Sequence, residues 1–488
     1  NNRSAEADPT RASQEGTCLA RGFEYKSGME ALMIGVSGMR GTIGGTLSPT
    51  VVTQMAGAFA VWLKETAKPA SGKNLRVVFG RDSRPSGFWV RDCAVGALVA
   101  SGIDVIDLDV VTTPGVAMMV KHLAADAGIV VTASHNPIQW NGLKFLNAQG
   151  IAPPKSDADR IIRLYNDQKT GYVRVEDLIA PKKNTETHAL HIKRVLDHVD
   201  VLGISTRRYK VVLDSVNGAG CVATATLLNK LGVQLVHLNA TPDGQFPHEP
   251  EPTEANLTAL AAEVKRQKAG VGFAQDPDAD RLAIIDENGR YIGEEYSLAL
   301  CAKWLLSKHP GVAVTNLSTS RMLDDVASQT GSRVVRTPVG EANVVETMLR
   351  EKAVVGGEGN GGVIDPRIVL GRDSLVGMAY VLQLMAATGK SLSQLVADIP
   401  RYDIVKTKFT CRREDADRAV AALKKEFASE KADTQDGIRI DWPDAWVHAR
   451  PSNTEPIMRI IAEAPDRSTA EQKIAMVQEV VRRTLGKK

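Results

Sequence analysis

In the pentapeptide Asp276-Pro-Asp-Ala-Asp280, three carboxylates stand at alternate positions. Their mutual repulsion is costly unless a cation or strong solvation offsets it. Hard oxygen ligands at this density suit Mg2+ or Ca2+ rather than zinc or copper. Read as a calcium EF-hand, the loop has its twelfth-position Glu in Glu287. However, Arg281 stands where that loop needs Gly, and apolar runs rather than helices flank it. Read as an aspartyl-nucleophile phosphatase, it would use Asp276 and Asp278, yet nothing else in the chain completes that site. The third reading is a Mg2+ loop serving a phosphoryl-transfer nucleophile elsewhere, and the bland one is a solvated acidic turn.

The segment Thr132-Ala-Ser-His-Asn-Pro137 follows a short apolar run, which puts Ser134 at a loop tip. Ser, Asn and Pro are ordinary turn formers, and a catalytic base is rarely adjacent in sequence to its serine. The equivalence of this loop with the aspartate loop raises its interest: a serine hydroxyl near a divalent cation can accept a phosphoryl group, whose oxygen could complete the metal's shell. Lys144 follows in Asn141-Gly-Leu-Lys144, a cation able to move protons or neutralise phosphate. Arg450-Pro-Ser-Asn-Thr-Glu455 combines a cation, the hydroxyls of Ser452 and Thr454, the Asn453 amide and a turn rich in backbone N–H groups. That composition makes a phosphate cradle, with Arg459 as second cation, or equally a turn between strands. Gly357-Glu-Gly-Asn-Gly-Gly362 lacks the Lys-Ser or Lys-Thr of a P-loop, so ATP is not indicated; Glu358 and Asn360 could instead bind vicinal sugar hydroxyls. Gly35-Val-Ser-Gly-Met-Arg-Gly41 reads as a tight turn presenting Arg40, structural or anion-binding.

Along the chain one pattern occurs three times: an apolar run, a helical stretch, then a second apolar run ending in one of these loops. The copies span Leu75 to Thr132, Tyr209 to Ala274 and Gly311 to Gly356. Short β-branched runs without alternation are strands buried on both faces, and helical stretches between them, such as Thr253 to Lys268, imply parallel crossovers. Ligands bind beyond the carboxyl ends of such strands, so three similar α/β domains facing one cleft are expected. After Pro400 the pattern changes: an alternating strand at Tyr402–Cys411, a helix from about Asp415 to Phe427, strands at Gly437–Trp442, Ala445–Arg450 and Met458–Glu463, and a helix opening on the capping-box pattern Ser468-Thr-Ala-Glu471. The expected fold class is α/β, three similar domains with mixed, mainly parallel sheets plus a smaller C-terminal α+β domain. The expected boundaries are 29–182, 183–291, 292–400 and 401–488, after a flexible extension over 1–28, with Lys182–Glu186 as the first interdomain crossing.

Composition removes other classes. Sixty Lys plus Arg against 57 Asp plus Glu leave a net charge of +3, too small to argue for nucleic acid or a membrane surface. Aromatic residues at 5% weaken any base-stacking reading, and no apolar stretch approaches about 18 residues. The scattered Cys18, Cys93, Cys221, Cys301 and Cys411 fit neither a zinc site nor a disulfide framework, and with no secretory h-region at the start a cytoplasmic protein is expected.

Together the T-A-S-H-N-P, D-P-D-A-D-R, G-E-G-N-G-G and R-P-S-N-T-E-P segments, in this order and with Gly38-Met-Arg-Gly41 ahead of them, resemble the α-D-phosphohexomutases from about Met29 onwards. The resemblance implies four domains around a central cleft and interconversion of hexose 6- and 1-phosphates through a phosphoserine and a 1,6-bisphosphate. It implies Ser134 as the phosphoserine, and Asp276, Asp278 and Asp280, with the phosphoserine, as ligands of one Mg2+. Arg281 and Arg40 would flank the phosphoserine, His135 would neighbour it, and Lys144 would transfer protons. Glu358 would contact sugar hydroxyls, and Arg450, Ser452, Asn453 and Thr454 would hold the non-reacting phosphate. Glucose- or hexosamine-1,6-bisphosphate is the implied activator, a small sugar phosphate the only partner, and the assembly a monomer or homodimer. Many members carry Ser and His two and four positions after the sugar-loop Glu; here Asn360 and Gly362 stand there, so no loop histidine can act as base. That variant resembles members described as phosphoglucosamine mutases and as phosphomannomutases or phosphoglucomutases; glucosamine phosphate is the expected substrate, with the mannose/glucose enzyme close behind.

Overall fold

The computed structural model describes residues 32–67, 74–452 and 457–486. The extension expected over residues 1–28, together with Asn453 and Thr454, lies outside the described residues.

Strands β1 (Met33–Gly35), β2 (Gly38–Thr42), β3 (Arg76–Arg81), β4 (Asp104–Val110), β5 (Ala127–Val131), β6 (Trp140–Asn147) and β7 (Lys182–Lys183) form one sheet in the order β1-β2-β6-β5-β3-β4-β7. A second sheet holds β8 (Lys210–Asp214), β9 (Gln234–Leu238), β10 (Val271–Gln275) and β11 (Leu282–Asp286) in the order β11-β10-β8-β9. A third holds β12 (Val312–Asn316), β13 (Arg333–Thr337), β14 (Val355–Glu358) and β15 (Gly362–Ile364) in the order β13-β12-β14-β15. The same unit recurs in each. A strand pairs in parallel with the one its crossover returns to, and that second strand turns back antiparallel: β3, β5 and β6; β8, β10 and β11; β12, β14 and β15. The serine, aspartate and sugar loops are therefore the hairpins at the carboxyl ends of β5, β10 and β14, three equivalent places. β5, β10 and β14 are buried along their whole length, as non-alternating apolar runs require.

The fourth sheet is antiparallel, β16 (Asp403–Thr410), β17 (Lys431–Asp433), β18 (Ile438–Asp441), β19 (Trp446–Pro451) and β20 (Ile457–Ala464) in the order β16-β20-β19-β18-β17. Helices Arg413–Glu426 and Arg467–Leu485 pack on it around Leu423, Ile460 and Val477. This core is its own, whereas one apolar cluster runs through the first three units, from Val116 and Met119 through Leu227 and Phe273 to Leu298 and Val381. Polar contacts join the last unit to the third: Arg439 Nη1 donates to the Leu317 carbonyl at 2.6 Å, and the Arg321 backbone N–H to Glu463 at 3.0 Å.

Four details differ from the sequence reading. The stretch Thr253–Lys268 is a 3-10 turn at Glu254–Asn256 followed by a helix at Thr258–Gln267, because the first turn closes with the Leu257 N–H on the Glu254 carbonyl. The last helix begins at Arg467, not Ser468: Asp466, in extended backbone, accepts from the Thr469 N–H and caps it. Lys182–Lys183 still belong to the first sheet, paired with β4, so the crossing begins after them. Arg40 lies on β2, opposite Gly142 of β6, rather than in the turn itself.

Candidate active site

Ser134 lies in the turn between β5 and β6 and is buried there, 4% exposed. Its backbone is left-handed, φ +52°, a conformation that costs a non-glycine residue energy and that the surroundings must enforce. They do so through Arg84, fully buried, whose guanidinium donates to the carbonyls of Ser134 and Asn136 at 2.6 Å, Pro137 at 2.7 Å and Trp140 at 3.1 Å. Asp82 pairs with Arg84 Nε and accepts from Thr132 Oγ1, whose oxygen takes the Ser134 N–H at 2.8 Å. Ser134 Oγ is left 3.2 Å from Asp276 Oδ2 and 3.2 Å from His135 Nδ1.

In the aspartate loop each carboxylate has one oxygen committed to the protein. Asp276 Oδ1 accepts from the Asp280 and Arg281 backbone N–H groups, Asp278 Oδ2 from Thr113 Oγ1 at 2.6 Å, and Asp280 Oδ2 from Arg372 Nη2 at 2.6 Å. Of the other oxygens, Asp276 Oδ2 faces Ser134, while Asp278 Oδ1 and Asp280 Oδ1 are buried without a hydrogen-bond partner among the described residues. One oxygen from each residue lies within 4.8 Å of the others, a set that could hold a metal ion. The electrostatics agree: burial, then repulsion from Asp278 and Asp280, pushes the Asp276 carboxyl well above its ordinary range, and burial with Asp280 pushes Asp278 up. Burial alone would raise Asp280 too, but Arg372, Lys144 and Arg281 hold it below. Strands, not helices, flank the loop, which removes the EF-hand reading.

Other expected residues gather around these two loops. Lys144 Nζ lies 3.9 Å from Asp280 and 3.3 Å from Glu341; burial would lower its pKa, but Glu341 and Asp280 raise it, so it is an ammonium. Arg40 is in electrostatic reach of Asp278 and Asp280. Arg281 Nη1 is 3.7 Å from Glu251, which also lies 3.7 Å from His135 Nε2. Burial, reinforced by Arg281 and Arg40, drives the His135 imidazole down to about 2, leaving the ring neutral. Glu358 ends β14, where it accepts from Asn316 Nδ2 at 2.9 Å, Arg372 Nη1 at 2.8 Å and Asn360 Nδ2 at 3.5 Å. In the fourth unit Arg450 and Arg459 are cross-strand partners on β19 and β20, Ser452 is buried just beyond them, and Arg450 Nη1 is 3.5 Å from Asp436. Arg450 is also in electrostatic reach of Glu358, so this end of the fourth sheet faces the sugar loop.

Family models described as phosphoglucomutase/phosphomannomutase alpha/beta/alpha domains I, II and III match residues 31–171, 189–289 and 294–402, and the C-terminal domain model matches 407–480. A phosphoglucomutase/phosphomannomutase of Thermococcus kodakarensis is 38% identical over 90% of this chain and 96% of its own length. The chain belongs to the phosphoglucomutase/phosphomannomutase family. It is a phosphohexomutase, an isomerase that moves a phosphoryl group. A relative in Methanopyrus kandleri, described as a probable phosphoglucosamine mutase, is 35% identical over 92% of this chain and 97% of its own. A solved structure of a phosphoglucomutase/phosphomannomutase family protein from Burkholderia thailandensis, 26% identical, superposes with a TM-score of 0.80 over 93% of this chain and 98% of that one.

Several residues around this candidate site escape a reading of the sequence: Arg84, Thr113, Glu251, Glu341 and Arg372. Each stands in an unremarkable local context and reaches the site only through tertiary packing. Gly371-Arg-Asp-Ser374, a charged loop before the apolar helix Ser374–Thr388, was the signal available for Arg372.

Proposed function

We propose that Ser134 carries the phosphoryl group and that the chain interconverts glucosamine 6-phosphate and glucosamine 1-phosphate. The observation that carries the reading is Ser134 Oγ standing 3.2 Å from Asp276 Oδ2, in a loop where one oxygen from each of three carboxylates lies within 4.8 Å of the others. That all-oxygen, anionic set fits Mg2+, and Asp276, Asp278, Asp280 and the phosphoserine oxygen would hold it. When bound, the ion supplies Lewis-acid stabilisation of charge on the phosphoryl oxygens. Phosphoserine gives its phosphoryl group to the free hydroxyl of a hexose phosphate: the P–Oγ bond breaks, a P–O bond to the sugar forms, and the hydroxyl proton ends on Ser134 Oγ. The 1,6-bisphosphate turns end for end, and Ser134 Oγ takes back the other phosphoryl group. Arg40, Arg281 and the Lys144 ammonium surround the transfer with positive charge, and Arg84 fixes the serine backbone so that Oγ meets the phosphorus in line. Glu358 and Asn360 hold sugar hydroxyls, while Arg450, Ser452 and Arg459, with Asn453 and Thr454, hold the phosphate not reacting. A hexose-1,6-bisphosphate would prime the dephosphorylated enzyme. Phosphomannomutase/phosphoglucomutase activity is the second reading, supported by the name of the Thermococcus relative.

Intact mass tests the nucleophile: incubation with glucose 1,6-bisphosphate adds one phosphate to wild type and none to Ser134→Ala, and that variant loses turnover. Turnover by Ser134→Ala at the wild-type rate overturns the mechanism. Comparing kcat/KM for glucosamine, N-acetylglucosamine, glucose and mannose phosphates separates the two substrate readings.

A further inference from the structure

Arg372 is not among the residues that the resemblance brings to the site, yet it bridges two of that site's loops. It precedes the helix Ser374–Thr388, and its side chain turns back under the sugar loop. Nη2 donates to Asp280 Oδ2 at 2.6 Å and lies 3.6 Å from Glu341; Nη1 donates to Glu358 at 2.8 Å; its own backbone N–H donates to Glu341 Oε1 at 3.1 Å. Burial works against its charge, but Asp280, Glu341 and Glu358 more than offset it, so the guanidinium is a permanent cation here.

The arm has room for one reason. A Cβ on Gly362 would lie 2.1 Å from Arg372 Cδ and 2.7 Å from Cγ, contacts no side chain can make, so the glycine and the arginine are a matched pair. The arm occupies the space a side chain at 362 would need. The guanidinium then spans two functional loops from different units: Asp280 of the aspartate loop through its outer oxygen, leaving Oδ1 open, and Glu358 of the sugar loop. A planar fork can hold both at once with fixed geometry, whereas an ammonium on a flexible stem cannot.

We propose that Arg372 is a positioning residue through which the cation site and the sugar-hydroxyl site are set together, so that binding of a divalent cation and of a sugar phosphate are thermodynamically linked. The proposal rests on the reading of Asp280 and Glu358 given above. Its physical content is that Asp280 and Glu358 share one cation. A divalent cation at Asp280 weakens that carboxylate's hold on Arg372, and a sugar hydroxyl on Glu358 leaves more of the guanidinium's charge to Asp280; each ligand therefore lowers the affinity for the other by the same factor.

The test is calorimetric titration of Mg2+ into dephosphorylated protein, alone and with saturating glucose 1-phosphate. Wild type should show Mg2+ affinity lowered about 5- to 20-fold by the sugar phosphate, within the usual range for linked sites. In Arg372→Gln that factor should fall to within about twofold of unity, and Arg372→Lys should retain only part of it. Gly362→Ala keeps the arginine but displaces its arm, and should lose the linkage as Arg372→Gln does. A thermal melt of each variant separates misfolding from lost linkage, and Gly362→Ala and Arg372→Lys carry the test if Arg372→Gln does not fold. A linkage factor in the variants equal to wild type overturns the proposal, as does wild type binding Mg2+ equally with and without the sugar phosphate. Failure of wild type to bind Mg2+ any better than Asp278→Asn overturns instead the cation-site reading, and the proposal with it.

Discussion

At the scale of single residues, the candidate site is built less from the groups that face the cleft than from those that immobilise them. Ser134 is held with φ +52° by one buried guanidinium that satisfies four carbonyls. Lysine in place of Arg84 keeps the charge but cannot reach all four, so unpaired buried carbonyls should cost about 1–3 kcal/mol of stability. With Ser134 as the proposed nucleophile, its misplacement should lower kcat about 10- to 100-fold with little change in KM; thermal melts and steady-state kinetics of Arg84→Lys check both parts. On the proposed function, Arg450 belongs to the other end of the reaction. Arg450→Ala removes a charge-assisted contact worth about 1.5–3 kcal/mol, a loss of about 10- to 150-fold in kcat/KM. Part of that loss should appear as raised KM and as more free 1,6-bisphosphate escaping before it turns, and Arg450→Lys should recover only some of it. An Arg450→Ala enzyme with unchanged kinetics would mean that the segment is a turn and the phosphate is held elsewhere.

Among elements, the helices Thr187–Leu196 and Ser374–Thr388 join the second and third units through a buried pair. His191 Nε2 lies 2.6 Å from Asp373 Oδ2, and Asp373 also caps its helix by accepting from Leu375 N–H at 2.9 Å. Because Asp373 follows Arg372 directly, the cap also fixes where that arm starts. His191→Leu strands a buried carboxylate with only backbone donors, a loss at the lower end of about 3–5 kcal/mol. The midpoint of thermal or urea unfolding should fall accordingly, and a midpoint equal to wild type would show that the pair carries no net stability.

For the whole molecule, the fourth unit meets the rest across a polar boundary that holds buried acids. Glu295, in the helix Glu295–Lys308, lies under the sugar loop, where a Cβ on Gly359 would come 2.1 Å from Glu295 Oε2. Burial pushes its carboxyl up to about 8, with Lys406 and the Ser320 N–H opposing and Glu294 and Glu463 reinforcing the rise. The folded state therefore holds a proton that the unfolded chain releases near pH 4.5. Between that pH and about 8 the native state binds more protons than the unfolded one, so this group's contribution is full below the lower value and is lost as pH rises through the upper. Glu295→Gln removes the titration: its melting temperature should decline less between pH 5 and 8 than that of wild type, and parallel profiles would refute the assignment.

Apolar runs of strand length, repeated three times with a helical stretch between, were enough to specify parallel units with their loops at equivalent ends, because a strand buried on both faces has no polar side to alternate. The crowding of Asp276, Asp278 and Asp280 was legible for a similar reason: adjacent charges interact whatever the fold. Ends of helices were less so, since Asp466 and Ser468 are both good caps and only backbone geometry chose Asp466. What the tertiary structure alone decided is which side chains from distant segments share a charge. Arg84 under Ser134, Thr113 on Asp278, and Arg372 between Asp280 and Glu358 join positions 50 to 165 residues apart, or loops from separate units. Each is an ordinary polar residue in its own stretch of chain, and a guanidinium acquires its partners only when packing removes water from around it.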